Sequence, residues 1–215
     1  MGPLRKLVLM HLKEIIAKGF EGHNIGNGSH GRTKRIEDIV AELLKREHGS
    51  IFEIGGGYGV TACAILNSVI KFGGQLYVID PWEDEFDGGH NGYTLDAFQV
   101  VMNVLAEHET NFIPDRHLII CRLRSQDENA KYLMLTQKPI LFGFVDGLQT
   151  YDAVVSDINA LMVAGCRVLC VDDINRTPVK NAIDSTIRAV ERYQEYSPNI
   201  PEVIENYFVL DEELI

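Results

Sequence analysis

A glycine-rich segment followed at a distance by a carboxylate is the first feature of the sequence that could do chemistry. Residues 55–59 read Gly-Gly-Gly-Tyr-Gly, they follow an apolar run at residues 50–54, and Asp80 ends the next apolar run. Glycine lets a strand turn sharply into a helix and lets a ligand approach the backbone without a Cβ in the way. An acidic residue about twenty positions further on can bind both hydroxyls of a ribose. The segment therefore predicts a site for a nucleoside-containing cofactor.

The spacing of the glycines distinguishes between two classes of cofactor. The dinucleotide fingerprint requires glycine at the sixth position counted from Gly55, and that position is Val60. The segment instead reads acidic-x-Gly-x-Gly-x-Gly, with Glu53 as the leading acid. This pattern resembles the first motif of class I S-adenosylmethionine-dependent methyltransferases. A nicotinamide-dependent oxidoreductase is the alternative that Val60 disfavours, and a strand-to-helix turn without a ligand is the simplest alternative.

The resemblance implies roles for the residues around the glycine segment. In the family, the leading carboxylate supports the turn and the amino-acid end of the cofactor, the acid ending the second strand holds the ribose, and residues after the third strand contact adenine. The residues that we expect at the cofactor are Glu53, Gly55, Gly56, Gly57, Tyr58, Gly59, Asp80, Pro81, Trp82, Ser125, Gln126 and Asp146.

A set of ordered matches over residues 50–190 is more specific than any single motif. It comprises Ile-Asp-Pro-Trp at 79–82, Ser125, Val-Asp-Gly-Leu-Gln-Thr-Tyr at 145–151, Val-Val-Ser-Asp at 154–157 and Val-Asp-Asp-Ile at 171–174. The set resembles the branch that contains macrolide and aminocoumarin sugar O-methyltransferases and related small bacterial proteins. The resemblance implies methyl transfer to a hydroxyl of a small-molecule acceptor, a sugar or a secondary metabolite.

The same branch implies a metal site. Its members hold magnesium with acids at the positions of Asp146, Asp172 and Asp173. Carboxylates at the ends of neighbouring strands repel one another unless a cation or donor groups offset their charge, and Mg²⁺ prefers oxygen ligands. The alternative is that Asp172 and Asp173 only cap the sheet by accepting hydrogen bonds from backbone N–H groups.

One position departs from the branch. Relatives commonly carry a histidine that can act as general base where this chain has Gln149, and glutamine cannot accept a proton at neutral pH. Three explanations stay open: the metal suffices, a histidine from a glycine-rich loop (His23, His30 or His90) replaces the base, or the protein binds the cofactor without transferring its methyl group. The candidate catalytic residues are Asp146, Gln149 and His30.

The elements that must position these residues alternate between strand and helix. Apolar runs predict strands at 50–54, 75–80, 117–121, 140–146, 166–172 and 206–211, and periodic apolar faces predict helices at 58–70, 94–106, 126–135, 150–164 and 178–194. Such alternation implies right-handed crossovers and a mainly parallel sheet. We expect an α/β protein with the Rossmann-like methyltransferase fold, a seven-stranded sheet covered by helices on both faces, and an N-terminal helical extension.

The extension comprises residues 1–48 and precedes a cofactor-binding domain at 49–215. Helices are predicted at 4–18 and 35–47, and the polar segment 19–34 between them is either a mobile connector or a lid. The apolar face of helix 4–18 could form a homodimer contact or pack on the chain's own sheet.

The charge balance and the cysteines limit the class of partner and the compartment. Twenty Lys and Arg against 31 Asp and Glu give a net charge of −11, which disfavours nucleic acid and anionic membrane as partners. The densest basic run, Arg32, Lys34 and Arg35, is short. Four scattered cysteines without a C-x-x-C pair, and an N-terminal apolar run too short for a signal peptide, predict a cytoplasmic protein.

Overall fold

Strands and helices alternate along the chain in the computed structural model, which describes residues 29–82, 94–109, 111–190, 192–196 and 205–210. The helices are α1 (Ser29–Arg46), α2 (Val60–Phe72), α3 (Leu95–His108), α4 (Glu128–Thr136), α5 (Tyr151–Val163) and α6 (Thr177–Ser185). The strands are β1 (Ser50–Ile54), β2 (Gln75–Ile79), β3 (Leu118–Cys121), β4 (Ile140–Val145), β5 (Val168–Val171), β6 (Tyr193–Tyr196) and β7 (Asn206–Leu210).

The strands form one seven-stranded sheet in the order β3-β2-β1-β4-β5-β7-β6. The pairs among β3, β2, β1, β4 and β5 are parallel, whereas β7 runs antiparallel to both β5 and β6. The predicted mainly parallel sheet is confirmed. The strand order changes direction between β1 and β4, and ligands of open α/β sheets bind at the carboxyl ends of the strands at such a switch point.

Alternate residues of each strand pack on opposite faces of the sheet, as the pleat requires. Ile51 of β1 packs in a cluster with residues of α1, α2 and α3, while its neighbour Phe52 packs with residues of α4, α5 and α6. Helices therefore cover both faces, as predicted. Within the described ranges, no helix is long and apolar enough to cross a membrane.

Helix α1 begins earlier than the sequence indicated. Its apolar stripe, predicted within a helix at 35–47, is buried, but the helix starts at Ser29, so the loop prediction is wrong for residues 29–34. The physical reason is that Arg32 and Arg35, one turn apart, pair with carboxylates at the ends of strands. Their partners are Asp172, directly after β5, and Glu205, directly before β7. Residues 4–28, including the predicted first helix, lie outside the described residues, and the division of the chain at residue 48 stays a prediction.

The predicted helix at 178–194 is also wrong in its second half. Helix α6 ends at Ser185, and residues 193–196 form β6. The hydroxyl groups of Ser185 and Thr186 donate to the carbonyl of Ala182 over 3.1 and 2.6 Å, which competes with the continuation of the helix. The Tyr193 hydroxyl then donates to the carbonyl of Cys166 over 2.8 Å and holds the returning chain beside the sheet.

A buried ion pair joins the two ends of the described chain. The Arg35 guanidinium on α1 donates through Nε to Oε1 of Glu205, which directly precedes β7, over 2.9 Å. Their side chains are 8% and 2% exposed. A buried charge that loses its partner is left without compensation, which makes such a pair costly to break.

We expect the substitution Glu205→Gln to lower the free energy of unfolding by about 3–5 kcal/mol, because the Arg35 charge stays buried without a carboxylate. Urea unfolding measures the change. The matched control is Asp38→Asn, which breaks the exposed Lys34–Asp38 pair on the same helix (2.7 Å) and should change stability by less than about 0.5 kcal/mol. Equal losses in the two variants would contradict the role assigned to the buried pair.

Candidate functional site

The glycine turn lies at the switch point, in contact with the residue that follows β4. The Gly55 amide donates to the carbonyl of Ile79 over 2.9 Å, and its φ is +94°. A Cβ at this position would lie 2.2 Å from the carbonyl oxygen of Asp146. Only glycine allows the ends of β1 and β4 to approach this closely, so the turn and the residues after β4 share one edge.

Asp80 lies against the same turn. Its Oδ2 accepts from the Gly57 amide over 3.1 Å, and its Oδ1 accepts from the Trp82 amide over 2.7 Å. A carboxylate can accept about four hydrogen bonds, so lone pairs remain for a ligand. The structure thus brings Asp80 and the glycine segment together, as the sequence predicted.

Trp82 supports the turn from within the core. The indole Nε1 donates to the carbonyl of Gly57 over 3.1 Å, its ring packs 5.1 Å from that of Phe98, and the side chain is 4% exposed. A Cβ on Gly56 would lie 2.8 Å from the indole. By contrast, Tyr58 is 43% exposed.

Ser125 and Gln126, which follow β3, are joined to a residue that the sequence did not single out. Gln126 Nε2 donates to Ser125 Oγ over 2.6 Å and to Oδ1 of Asp157 over 3.0 Å. Asp157 lies on α5 and is fully buried. Its burial raises the pKa of this carboxyl to about 7, although hydrogen bonds from Ser125 and Gln126 oppose the shift. The only sequence signal was its position in the matched segment 154–157.

Glu53, Asp146 and Asp172 form an acidic edge where β1, β4 and β5 end. Arg32 provides positive charge at this acidic edge, and the sequence did not predict this role. Its Nη1 pairs with Oδ2 of Asp172 and lies 3.7 Å from Oδ2 of Asp146. The guanidinium carbon lies 5.5 Å from the centroid of the Phe144 ring. The signal that could have indicated the contact is the spacing of Arg32 and Arg35 on one helical face.

Three carboxyl groups of this edge have raised pKa values. Burial raises the pKa of Glu53 well above its usual range, Asp146 raises it further, and Arg32 opposes the shift. Burial also raises the pKa of Asp146, with repulsion from Asp172 as the next cause. For Asp172, burial raises the pKa and Arg32 is the main opposing group. Burial is thus the main cause of the raised pKa values, and Arg32 opposes the shift in all three groups.

Gln149 lies at the carboxyl edge, three residues beyond the switch-point residue Asp146. Its Nε2 donates to Oδ2 of Asp173, and the same oxygen forms an ion pair with Arg176, whose Nε lies 3.0 Å away. Asp173 has a φ of +52°, a conformation that non-glycine residues seldom adopt outside functional or tightly determined positions. Within the described part of the chain, Oε1 of Gln149 is buried without a hydrogen-bond partner.

The predicted magnesium site is not supported. Among the residues that the structure describes, no group of three or more His, Cys, Asp or Glu side chains could hold a metal ion. Asp172 pairs with Arg32, and Asp173 contacts Gln149 and Arg176. The chain's own donors thus offset the carboxylate charge that the sequence suggested a metal would neutralise.

Of the three histidines predicted as candidate bases, one lies in an element that the structure describes. His30 lies in α1 rather than in the predicted loop, and its side chain is outside the described part. His23 and His90 lie outside the described residues.

Several solved structures that resemble this chain are described as methyltransferases. It is similar to CalS11, a TDP-rhamnose 3′-O-methyltransferase of calicheamicin biosynthesis, with a TM-score of 0.62, 13% identity and coverage of 97% of this chain and 95% of that one. It is also similar to TomG from Streptomyces achromogenes, an O-methyltransferase of tomaymycin synthesis in complex with SAM (TM-score 0.58, 12% identity, coverage 98% and 100%). The Bacillus cereus O-methyltransferase in complex with SAH gives a TM-score of 0.56 at 14% identity, with coverage of 94% and 90%.

At these identities the likeness establishes the fold, and the family follows from the sequence. No curated protein matches significantly. A family model described as a methyltransferase domain matches residues 52–173, more than half of the chain. The nicotinamide-dependent alternative finds no support in these matches. The chain therefore belongs to the methyltransferase-domain family and is an S-adenosylmethionine-dependent methyltransferase with a Rossmann-like fold.

Proposed function

We propose that the protein methylates a hydroxyl of a small molecule, a sugar or another metabolite, at the carboxyl edge between β1 and β4. The observation that carries the proposal is the close approach of Gly55 to the carbonyl of Asp146. It joins a nucleoside-type turn to a group of polar side chains, so a cofactor on one side and an acceptor on the other would meet there. Catalysis would consist mainly of holding the reacting atoms in line.

The residues of the turn fit the cofactor. When bound, S-adenosylmethionine supplies a methyl group on a positively charged sulfonium. The remaining lone pairs of Asp80 suit the two ribose hydroxyls. Glu53, whose Oε2 is buried without a partner in the described part of the chain, suits the cationic amino-acid end. The electronegative edge around Asp146 favours both positive groups.

Gln126 suits the adenine. Both amide hydrogens of its Nε2 are used by Ser125 and Asp157, so the amide carbonyl is the group that remains to accept from an adenine amino group. Asp157 would then act on the cofactor through Gln126, by fixing which way the amide points.

The acceptor would bind beside Gln149. Because the amide nitrogen of Gln149 is held by Asp173, its buried Oε1 is oriented to accept a hydrogen bond from a substrate hydroxyl. Glutamine cannot remove the proton. We propose Asp146, at the switch point, as the proton acceptor, with His30 as the alternative. Magnesium has no part in the proposal, since Arg32 already pairs with Asp172.

Gln149 also favours a second function, a protein that binds the cofactor without turnover. Calorimetry with S-adenosylhomocysteine tests cofactor binding, and a methyl-transfer assay against sugars and other hydroxyl compounds tests catalysis. Tight binding together with inactivity on every hydroxyl acceptor would favour the second function.

The substitution Asp80→Ala should weaken binding of S-adenosylhomocysteine by roughly tenfold or more, because hydrogen bonds to a charged group are worth about 1.5–3 kcal/mol each. Titration calorimetry measures the affinity. The exposed Glu107→Ala on α3 is the control and should bind like the wild type. Unchanged affinity in Asp80→Ala would disprove the ribose role.

The substitution Gln149→His should raise methyl transfer by about 10²–10⁴-fold if proton removal limits turnover, since general-base assistance is typically of that size. The Asp173 carboxylate that now holds Gln149 would hold the imidazole in its place. The comparison is kcat on one acceptor, with Gln149→Asn as the control that adds no base. An unchanged kcat in a folded variant that binds cofactor and acceptor would show that another group already removes the proton.

The buried Asp157 should make stability depend on pH. Its folded-state pKa of about 7 lies above the ordinary aspartate value, so the folded protein binds the proton more tightly than the unfolded chain. Ionised Asp157 therefore destabilises the fold, and the contribution of this residue to stability falls as pH rises between about 4 and 7.

The variant Asp157→Asn keeps an acceptor for Gln126 without the charge. Its stability advantage over the wild type should grow by up to about 1.4 kcal/mol per pH unit through that window and then level off. Urea unfolding at several pH values measures the difference. The exposed Asp152→Asn on the same helix should show no such trend. A difference independent of pH would mean that Asp157 is ionised throughout.

A further inference from the structure

We propose that the Arg32 guanidinium takes the position of a divalent cation at the acidic edge, so that methyl transfer by this protein is independent of metal. Arg32 would then be a positioning residue, supplied by α1, that keeps the carboxylates after β4 and β5 in place. The inference deepens the proposed function, because it concerns the same edge, but metal binding can be measured without any turnover.

The contacts of Arg32 match those that a cation at this edge would need. One guanidinium nitrogen, Nη1, pairs with Oδ2 of Asp172 and lies 3.7 Å from Oδ2 of Asp146. A magnesium ion would require oxygen ligands at about 2.0–2.1 Å in near-octahedral geometry. It could reach the same two oxygens only if the guanidinium moved away, so the two cations exclude each other.

The surroundings hold the guanidinium where it is. Its central carbon lies over the Phe144 ring, a favourable position for a weakly hydrated cation. Three residues further along α1, Arg35 is fixed by the buried Glu205. The next turns of the helix contribute Ile36, Ile39 and Val40 to the core. Arg32 therefore projects from a helix that is anchored on both the polar and the apolar side.

The charge of the edge explains why a cation is needed there. Asp172 lies close enough to Asp146, and Asp146 close enough to Glu53, to raise the pKa of the neighbouring carboxyl, and Arg32 opposes the shift in all three groups. Removing it leaves uncompensated carboxylates, which is the condition under which a hard divalent cation binds.

The test is the variant Arg32→Gln, titrated with MgCl₂ and CaCl₂ in a calorimeter at constant ionic strength. The wild type should show no saturable binding of either ion. Arg32→Gln should bind the ion at one site, with an affinity at least roughly tenfold above the weakest binding that the calorimeter would detect for the wild type, because the carboxylates have lost their internal cation. The double variant Arg32→Gln/Asp172→Asn should lose this binding. The control Lys34→Gln removes an exposed charge from the same helix and should behave as the wild type.

Methyl transfer provides a second measurement. EDTA should leave wild-type turnover unchanged, and Mg²⁺ should restore part of the turnover that Arg32→Gln loses.

Saturable Mg²⁺ binding by the wild type would overturn the proposal, as would a folded Arg32→Gln that binds neither ion. If Arg32→Gln does not fold, the wild-type titration decides alone. A wild-type protein that does not bind S-adenosylhomocysteine would instead count against the proposed function. The metal titration would still test the role of Arg32.

Discussion

The carboxylates at the carboxyl edge of the sheet depend on positive charge that helix α1 brings to them. Glu53, Asp146 and Asp172 gather where β1, β4 and β5 end, and burial is the largest cause that raises the pKa of each. Charged groups are stable in such a place only when partners replace the water that they have lost. Arg32 provides such a partner for Asp172 and lies 3.7 Å from Asp146, so the site and helix α1 form one electrostatic unit. The buried Arg35–Glu205 pair extends the unit to β7.

A second constraint is steric and acts on the backbone. The carbonyl of Asp146 lies so close to Gly55 that no side chain fits there. This approach joins the turn at the end of β1 to the segment that continues to Gln149, and hydrogen bonds from Gly57 and Trp82 fasten Asp80 to the same turn. The turn after β1 and the segment after β4 are thereby held together by backbone packing and hydrogen bonds.

The spacing of apolar residues predicted the helices and strands whose apolar faces are buried. It failed at the ends of α1 and α6, where hydrogen bonds and ion pairs of polar side chains determine the structure. The stripe Ile36, Ile39, Val40, Leu43 and Leu44 identified α1, but residues 29–34 before it looked like a loop because the carboxylate partner of Arg32 lies 140 residues away along the chain. The apolar residues after Ser185 continued a helical pattern. The chain nevertheless turns there, since hydroxyl groups bond back to Ala182 and the sheet accepts β6 as its edge strand.

Strand-turn-helix alternation, the glycine spacing and the leading acid are local features, so the class of fold and the cofactor could be predicted without knowledge of distant contacts. The sequence also identified the carboxylates that gather at the edge, since parallel strands end on the same side of a sheet. The group that compensates their charge became visible only in the folded protein. Arg32 and Asp172 are far apart in sequence and meet only after α1 has packed on the sheet, and no local pattern distinguishes an aspartate that binds a metal from one that pairs with an arginine.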